Sequence, residues 1–204
     1  MDITNNSNLS FDEKKSLDVM KAAIATSKRA MMSDGLLLIL WGTGLSISNF
    51  YNYYKTNYLL ASRLQNFLDI LQILIGVSIL AITAYIIFRK KKVTTFASFT
   101  TRFVWIGVII AHNIVIIITK AILTDINFVL LQPLQLVLIG FALFVSGGVY
   151  RYYLLVFSGV LMWAAAAFAA NFDLTQQYLI RSVAEIICFI IPGILMYNAR
   201  KKIS

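Results

Sequence analysis

The chain has 204 residues, 59% of them hydrophobic and 13% charged, against about 45–50% apolar and about 25% charged in an ordinary soluble domain. That composition excludes a soluble globular protein, and a mean hydropathy of +0.78 excludes a disordered one, which would lack the apolar surface needed to offset its ordering entropy. The net charge of +9 has a topological explanation in a membrane protein, so no nucleic-acid partner is needed to account for it.

The leader, residues 1–34, is polar and charged and lacks the apolar core of a cleavable signal, so the first span is expected to act as the insertion signal. Ser10, Phe11, Asp12 and Glu13 match a capping box, in which hydroxyl and carboxylate satisfy free N–H groups at a helix start. An amphipathic helix is predicted over about 11–32. Leu17, Met20, Ile24 and Met31 share one face, flanked by Lys14, Lys21 and Lys28, which suits a cytoplasmic helix lying against anionic headgroups.

A bilayer core about 30 Å thick needs about 20 apolar residues of helix. Six runs answer that description, at 35–54, 67–88, 103–119, 126–149, 152–170 and 178–196. The expected fold class is therefore an all-α membrane protein. Its transmembrane domain, 35–197, is a six-helix bundle, and 198–204 form a basic cytoplasmic tail. Near-continuous hydrophobicity favours helices over a barrel, whose strands alternate in polarity.

The basic residues orient the spans, because cytoplasmic loops carry an excess of Lys and Arg. With the N-terminus inside, fourteen of the eighteen Lys and Arg fall on the cytoplasmic side. They include Arg89, Lys90, Lys91 and Lys92 between the second and third spans, Arg151, and the tail. Lys55, Arg63, Lys120 and Arg181 fall on the outer side or in the outer part of a helix. Both termini are thus expected in the cytoplasm.

Several short motifs carry a resemblance. Lys15-Ser16-Leu17-Asp18-Val19-Met20, then Leu38-Ile39-Leu40-Trp41-Gly42, Val104-Trp105-Ile106, Leu143 to Val149, and Ile190-Ile191-Pro192-Gly193-Ile194-Leu195 before basic residues resemble the small multispanning inner-membrane proteins of Bacteroidota. The resemblance runs from Lys15 to the end and departs at Thr43, where the family carries an aromatic. It implies a multi-pass protein of a Gram-negative inner membrane, and brings no activity or functional residues with it.

An ionisable group at mid-helix costs roughly 2.5–3.5 kcal/mol on insertion scales, so each one is a candidate site. His112 and Asn113 lie in the third span, Arg181 and Glu185 in the sixth, and Asp69 near the outer end of the second. Gln72, Gln132 and Asn49 join them, so five helices carry a polar group within about 10 Å of the outer surface. Arg181 and Glu185, four apart, share a face and can neutralise one another as an interhelical pin. The alternative is an outward-open polar pocket or proton site built on His112 and Glu185.

The sequence holds no His-Glu-x-x-His motif, no Gly-rich phosphate loop and no cysteine pair, Cys188 being the single cysteine. No catalytic residue, metal or cofactor is therefore expected. The functional expectation is a noncatalytic membrane component that senses, scaffolds or regulates. Its leader and the Arg89 to Lys92 loop would meet anionic lipid or a cytoplasmic protein partner, with a homo-oligomer also open. The alternative is a small-solute, ion or proton transporter or channel using the outer polar layer.

Overall fold

The computed structural model describes residues 15–20, 22, 35–58, 62–89, 96–123 and 128–201. Of the leader, 15–20 are helical and exposed, with Leu17, Val19 and Met20 open to the surroundings. Apart from Ala22, the rest of its expected amphipathic helix, including Lys14, Lys21 and Lys28, lies outside the described residues, as do Lys90, Lys91 and Lys92.

Beyond the leader the described residues form α1 (Gly35–Asn57), α2 (Ser62–Arg89), α3 (Phe96–Leu123), α4 (Phe128–Tyr150), α5 (Tyr153–Ala169), α6 (Leu174–Glu185) and α7 (Ile191–Lys201). A π turn, Ile186–Ile190, joins α6 to α7 in one continuous helix. No strand occurs among the described residues. Four stretches are long and apolar enough to cross a membrane: Arg63–Tyr85, Phe99–Ile122, Phe128–Tyr150 and Leu174–Ala199. The other two expected spans fall short of that measure for different reasons. Helix α5 has 17 residues, about 25 Å at 1.5 Å per residue. Helix α1 has the length, 23 residues, but it is diluted by Thr43, Ser46, Ser48, Asn49 and Asn52.

The closest pairing is the α4–α5 hairpin. Its turn places Arg151 at φ 53°, while Tyr152 N donates to Gly147 O at 2.8 Å and Arg151 N to Gly148 O at 3.1 Å. That is a Schellman closure, which satisfies the last carbonyls of α4. Along the seam Gly140 and Gly159 face each other so closely that a Cβ on Gly159 would lie 2.6 Å from Gly140 O. Leu136, Leu143, Leu155, Met162, Ala166, Cys188, Phe189 and Met196 form the core between this hairpin and the α6–α7 helix.

Antiparallel to α6–α7 on its other side runs α1. A Cβ on Gly42 would lie 2.5 Å from Phe189 Cβ, and one on Gly35 would lie 2.8 Å from Gly193 O. The start of α1 and the end of α7 therefore share one end of the bundle. Helices α2 and α3 are peripheral. The first packs mainly on α1 and the second mainly on α4, with Trp105 of α3 reaching Phe189 at 6.1 Å between rings. The α1–α2 seam is polar: Trp41 Nε1 donates to Thr83 Oγ1 at 3.2 Å, Gln72 to Ser48, and Lys55 to Asp69.

Candidate functional site

The α6 face that meets α1 and α4 carries Gln177, Arg181 and Glu185, all buried, and Phe189 and Gly193 continue the four-residue interval. Four residues of α-helix turn about 400°, so such a run drifts by about 40° per step. The π turn between Glu185 and Ile191 inserts an extra residue per turn and rotates the run back toward α1. Pro192 explains its position, since it has no N–H to offer the Cys188 carbonyl and so interrupts the regular ladder there.

Arg181 Nε donates to Glu185 Oε1 at 2.9 Å, and the side chains are 8% and 0% exposed. The second oxygen of Glu185 accepts from Asn49 Nδ2 at 2.8 Å, which ties α1 to the pair. Arg181 Nη1 donates to Gln132 Oε1 at 2.5 Å and also to Gln135 Oε1, which ties in α4. Tyr178 hydrogen-bonds Gln132. Between Arg181 and Glu185 along α6, Ser182 locks reciprocally with Ser46 of α1, Ser46 Oγ reaching Ser182 O at 3.2 Å and Ser182 Oγ donating to Ser46 O at 3.0 Å. Each carboxylate oxygen has a donor and the two charges cancel. This satisfies the condition under which a buried ion pair recovers its desolvation cost.

Four of the expected site residues thus meet: Asn49, Gln132, Arg181 and Glu185. Asp69 and Gln72 do not join them. Asp69 accepts from Lys55 Nζ at 2.9 Å on both oxygens and from Tyr51 Oη at 2.8 Å, while Gln72 donates to Ser48. Both are fastenings of α2 to α1. His112 is half-buried on α3 within electrostatic reach of Arg181. Asn113, its neighbour, is exposed and donates Nδ2 to Ile109 O at 2.8 Å. Arg89 ends α2.

Gln135, Tyr178, Ser46 and Ser182 belong to the cluster although sequence reasoning passed over them. A signal was present, because Gln135 follows Gln132 by three, Ser46 precedes Asn49 by three and Ser182 precedes Glu185 by three. Residues three apart share a helix face.

Elsewhere, an apolar groove of about 270 Å³ between α3 and α4 is lined by Val115, Ile118, Thr119, Ile122, Leu130 and Leu134. None of the cluster residues lines it. Among the described residues no three His, Cys, Asp or Glu side chains are grouped to hold a metal ion. Fold and site together define an all-helical protein with membrane-length apolar helices, closed around one satisfied ion pair. Comparison with protein-family models, curated proteins and solved structures finds no match to this chain.

Proposed function

We propose that this is a six-span inner-membrane protein with both termini cytoplasmic and a noncatalytic role in sensing, scaffolding or regulation. The observation that carries the reading is the closure of the cluster of Asn49, Gln132, Arg181 and Glu185. Glu185 is fully buried, and its oxygens are taken by Arg181 and Asn49. A carrier or channel needs such groups to meet solute, whereas here they meet each other. The working surfaces are then the leader, with Lys14, Lys21 and Lys28, and the Arg89 to Lys92 loop, facing anionic lipid or a cytoplasmic partner.

The six-span count rests on α1 and α5 crossing beside the four longer apolar stretches. It is supported by the shared end of α1 and α7, since an even number of crossings returns the chain to its starting side. The resemblance to Bacteroidota inner-membrane proteins agrees with this placement and is part of the proposal.

Reconstitution in vesicles with a pH-sensitive dye tests it. The expected result is no proton or solute flux above protein-free vesicles, with Glu185→Gln and His112→Ala indistinguishable from the parent chain. A flux that the parent chain supports and Glu185→Gln abolishes would overturn the noncatalytic reading in favour of transport.

A further inference from the structure

Among the described residues, one face of helix α3 is left exposed. Arg102, Ile106, Ile109, Asn113, Ile117 and Lys120 fall within about 40° of a common line at 100° per residue, and all six are exposed. Between the two basic ends this face is isoleucine, interrupted by a single amide. Asn113 lies nine residues from Ile122 and fourteen from Phe99 in the apolar stretch Phe99–Ile122, so it sits about 14 Å and about 21 Å from its ends. One Nδ2 hydrogen is spent on Ile109 O. The second hydrogen and the Oδ1 acceptor face outward, and among the described residues no other group meets them.

Hydrocarbon offers an amide no partner, so a lipid-facing Asn at mid-span calls for a protein one. An amide is self-complementary, carrying both donor and acceptor. Two copies related by a twofold axis would each donate Nδ2–H to the other's Oδ1, an isologous contact. A lone Asn in an apolar seam is also the device that fixes register and copy number between paired helices. Among the described residues the middle of α2 carries no such request: Asp69, Gln72 and Thr83 are met by α1, Ser78 Oγ donates to its own Leu74 O, and the exposed Asn66 lies near the start of the helix.

We infer that the chain forms a homodimer in the membrane through α3, with Asn113 paired across the twofold axis. The helices cross at Asn113 and splay toward their ends, so Arg102 and Lys120 reach separate headgroups instead of facing their copies. The inference rests on the membrane reading above.

The test uses the full chain in native membrane vesicles, in a Cys188→Ala background. Oxidation of Ile106→Cys, Ile109→Cys or Ile117→Cys variants should give disulfide dimers. Ile118→Cys, which is turned toward α4, and Ile73→Cys, exposed on α2, should not. Asn113→Leu should lower the dimer fraction about tenfold, and Asn113→Gln should restore most of it. Equal cross-linking at Ile73 and Ile109, or a dimer fraction untouched by Asn113→Leu, would overturn the proposal. Because Asn113 is exposed, Asn113→Leu leaves the monomer's packing intact, and unchanged thermal unfolding of the monomer in detergent checks this. Alkaline carbonate separates the two levels. A chain it extracts defeats the membrane reading, and a chain that resists extraction but stays monomeric defeats the dimer alone.

Discussion

Glu185 and Arg181 are each other's buried counter-ion. Removing one leaves the other buried without its counter-ion, so Glu185→Ala or Arg181→Ala alone should destabilise by about 3–5 kcal/mol. The joint change Arg181→Met with Glu185→Leu should recover only part of that loss, because the desolvation cost vanishes with both ions while Asn49, Gln132 and Gln135 lose the partners they had in the pair. Thermal unfolding in detergent of the two single variants and the double checks this. If the double variant also retains its cellular role, the pair is a structural pin. Arg151 poses a separate problem, since its φ of 53° costs a residue with a Cβ about 1–2 kcal/mol. Arg151→Gly should therefore raise stability by about 0.5–1 kcal/mol after the extra unfolded-state entropy of glycine is deducted. The same turn carries a positive charge where the chain reverses on the proposed cytoplasmic side. Strain at that position is the cost of keeping a topological signal in a very short turn.

Helix α1 works along two lines. Gly35, Gly42, Ser46 and Asn49 fit it to α6–α7, while Trp41, Ser48 and Lys55, spaced by sevens, hold α2. The first line depends on absent side chains. Gly42→Leu would drive Cβ into Phe189 and should cost about 1–3 kcal/mol or more through overpacking. Gly148, in α4, has open space around its Cβ position, so Gly148→Ala should stabilise by about 0.5–1 kcal/mol through helix propensity. Measuring both in one detergent separates packing from propensity. These two lines explain what was and was not legible beforehand. Hydropathy finds where a helix leaves water, and each expected run overlaps a helix seen here. It says nothing of which helix meets which, so it put Asn49, Gln72, His112, Gln132 and Glu185 at one depth without showing that Gln72 turns to Ser48 and Glu185 to Asn49. Gln135 escaped because an amide reads as helix filler until its three-residue partner is considered.

At the scale of the molecule, α1 and α4 to α7 make the core, and α2 and α3 hang outside it on different helices. Few residues in the membrane-length stretches of the two peripheral helices are buried, which suits a bilayer and would be intolerable in water. The ends of α1 and α7 coincide, so reporter fusions at the two termini should give the same sidedness, and under the proposed topology the cytoplasmic one. Replacing Arg89, Lys90, Lys91 and Lys92 with glutamine should produce a mixed orientation of α2 and α3. Alkaline phosphatase fused after Asn57 should stay active throughout, since the leader still orients α1.

The π turn leaves one residue too many in the path between Glu185 and Pro192. Removing Ile186, Ile187 or Ile190 would return this turn to α-helical spacing, with Pro192 still leaving one carbonyl unmet, while the ion pair above and the Gly35–Gly193 contact below stay nearly in line. The same deletion within Leu174–Glu185 has no slack to absorb it and would turn Arg181 away from Gln132. This chain therefore carries a built-in tolerance for losing a residue at one place in its most buried helix.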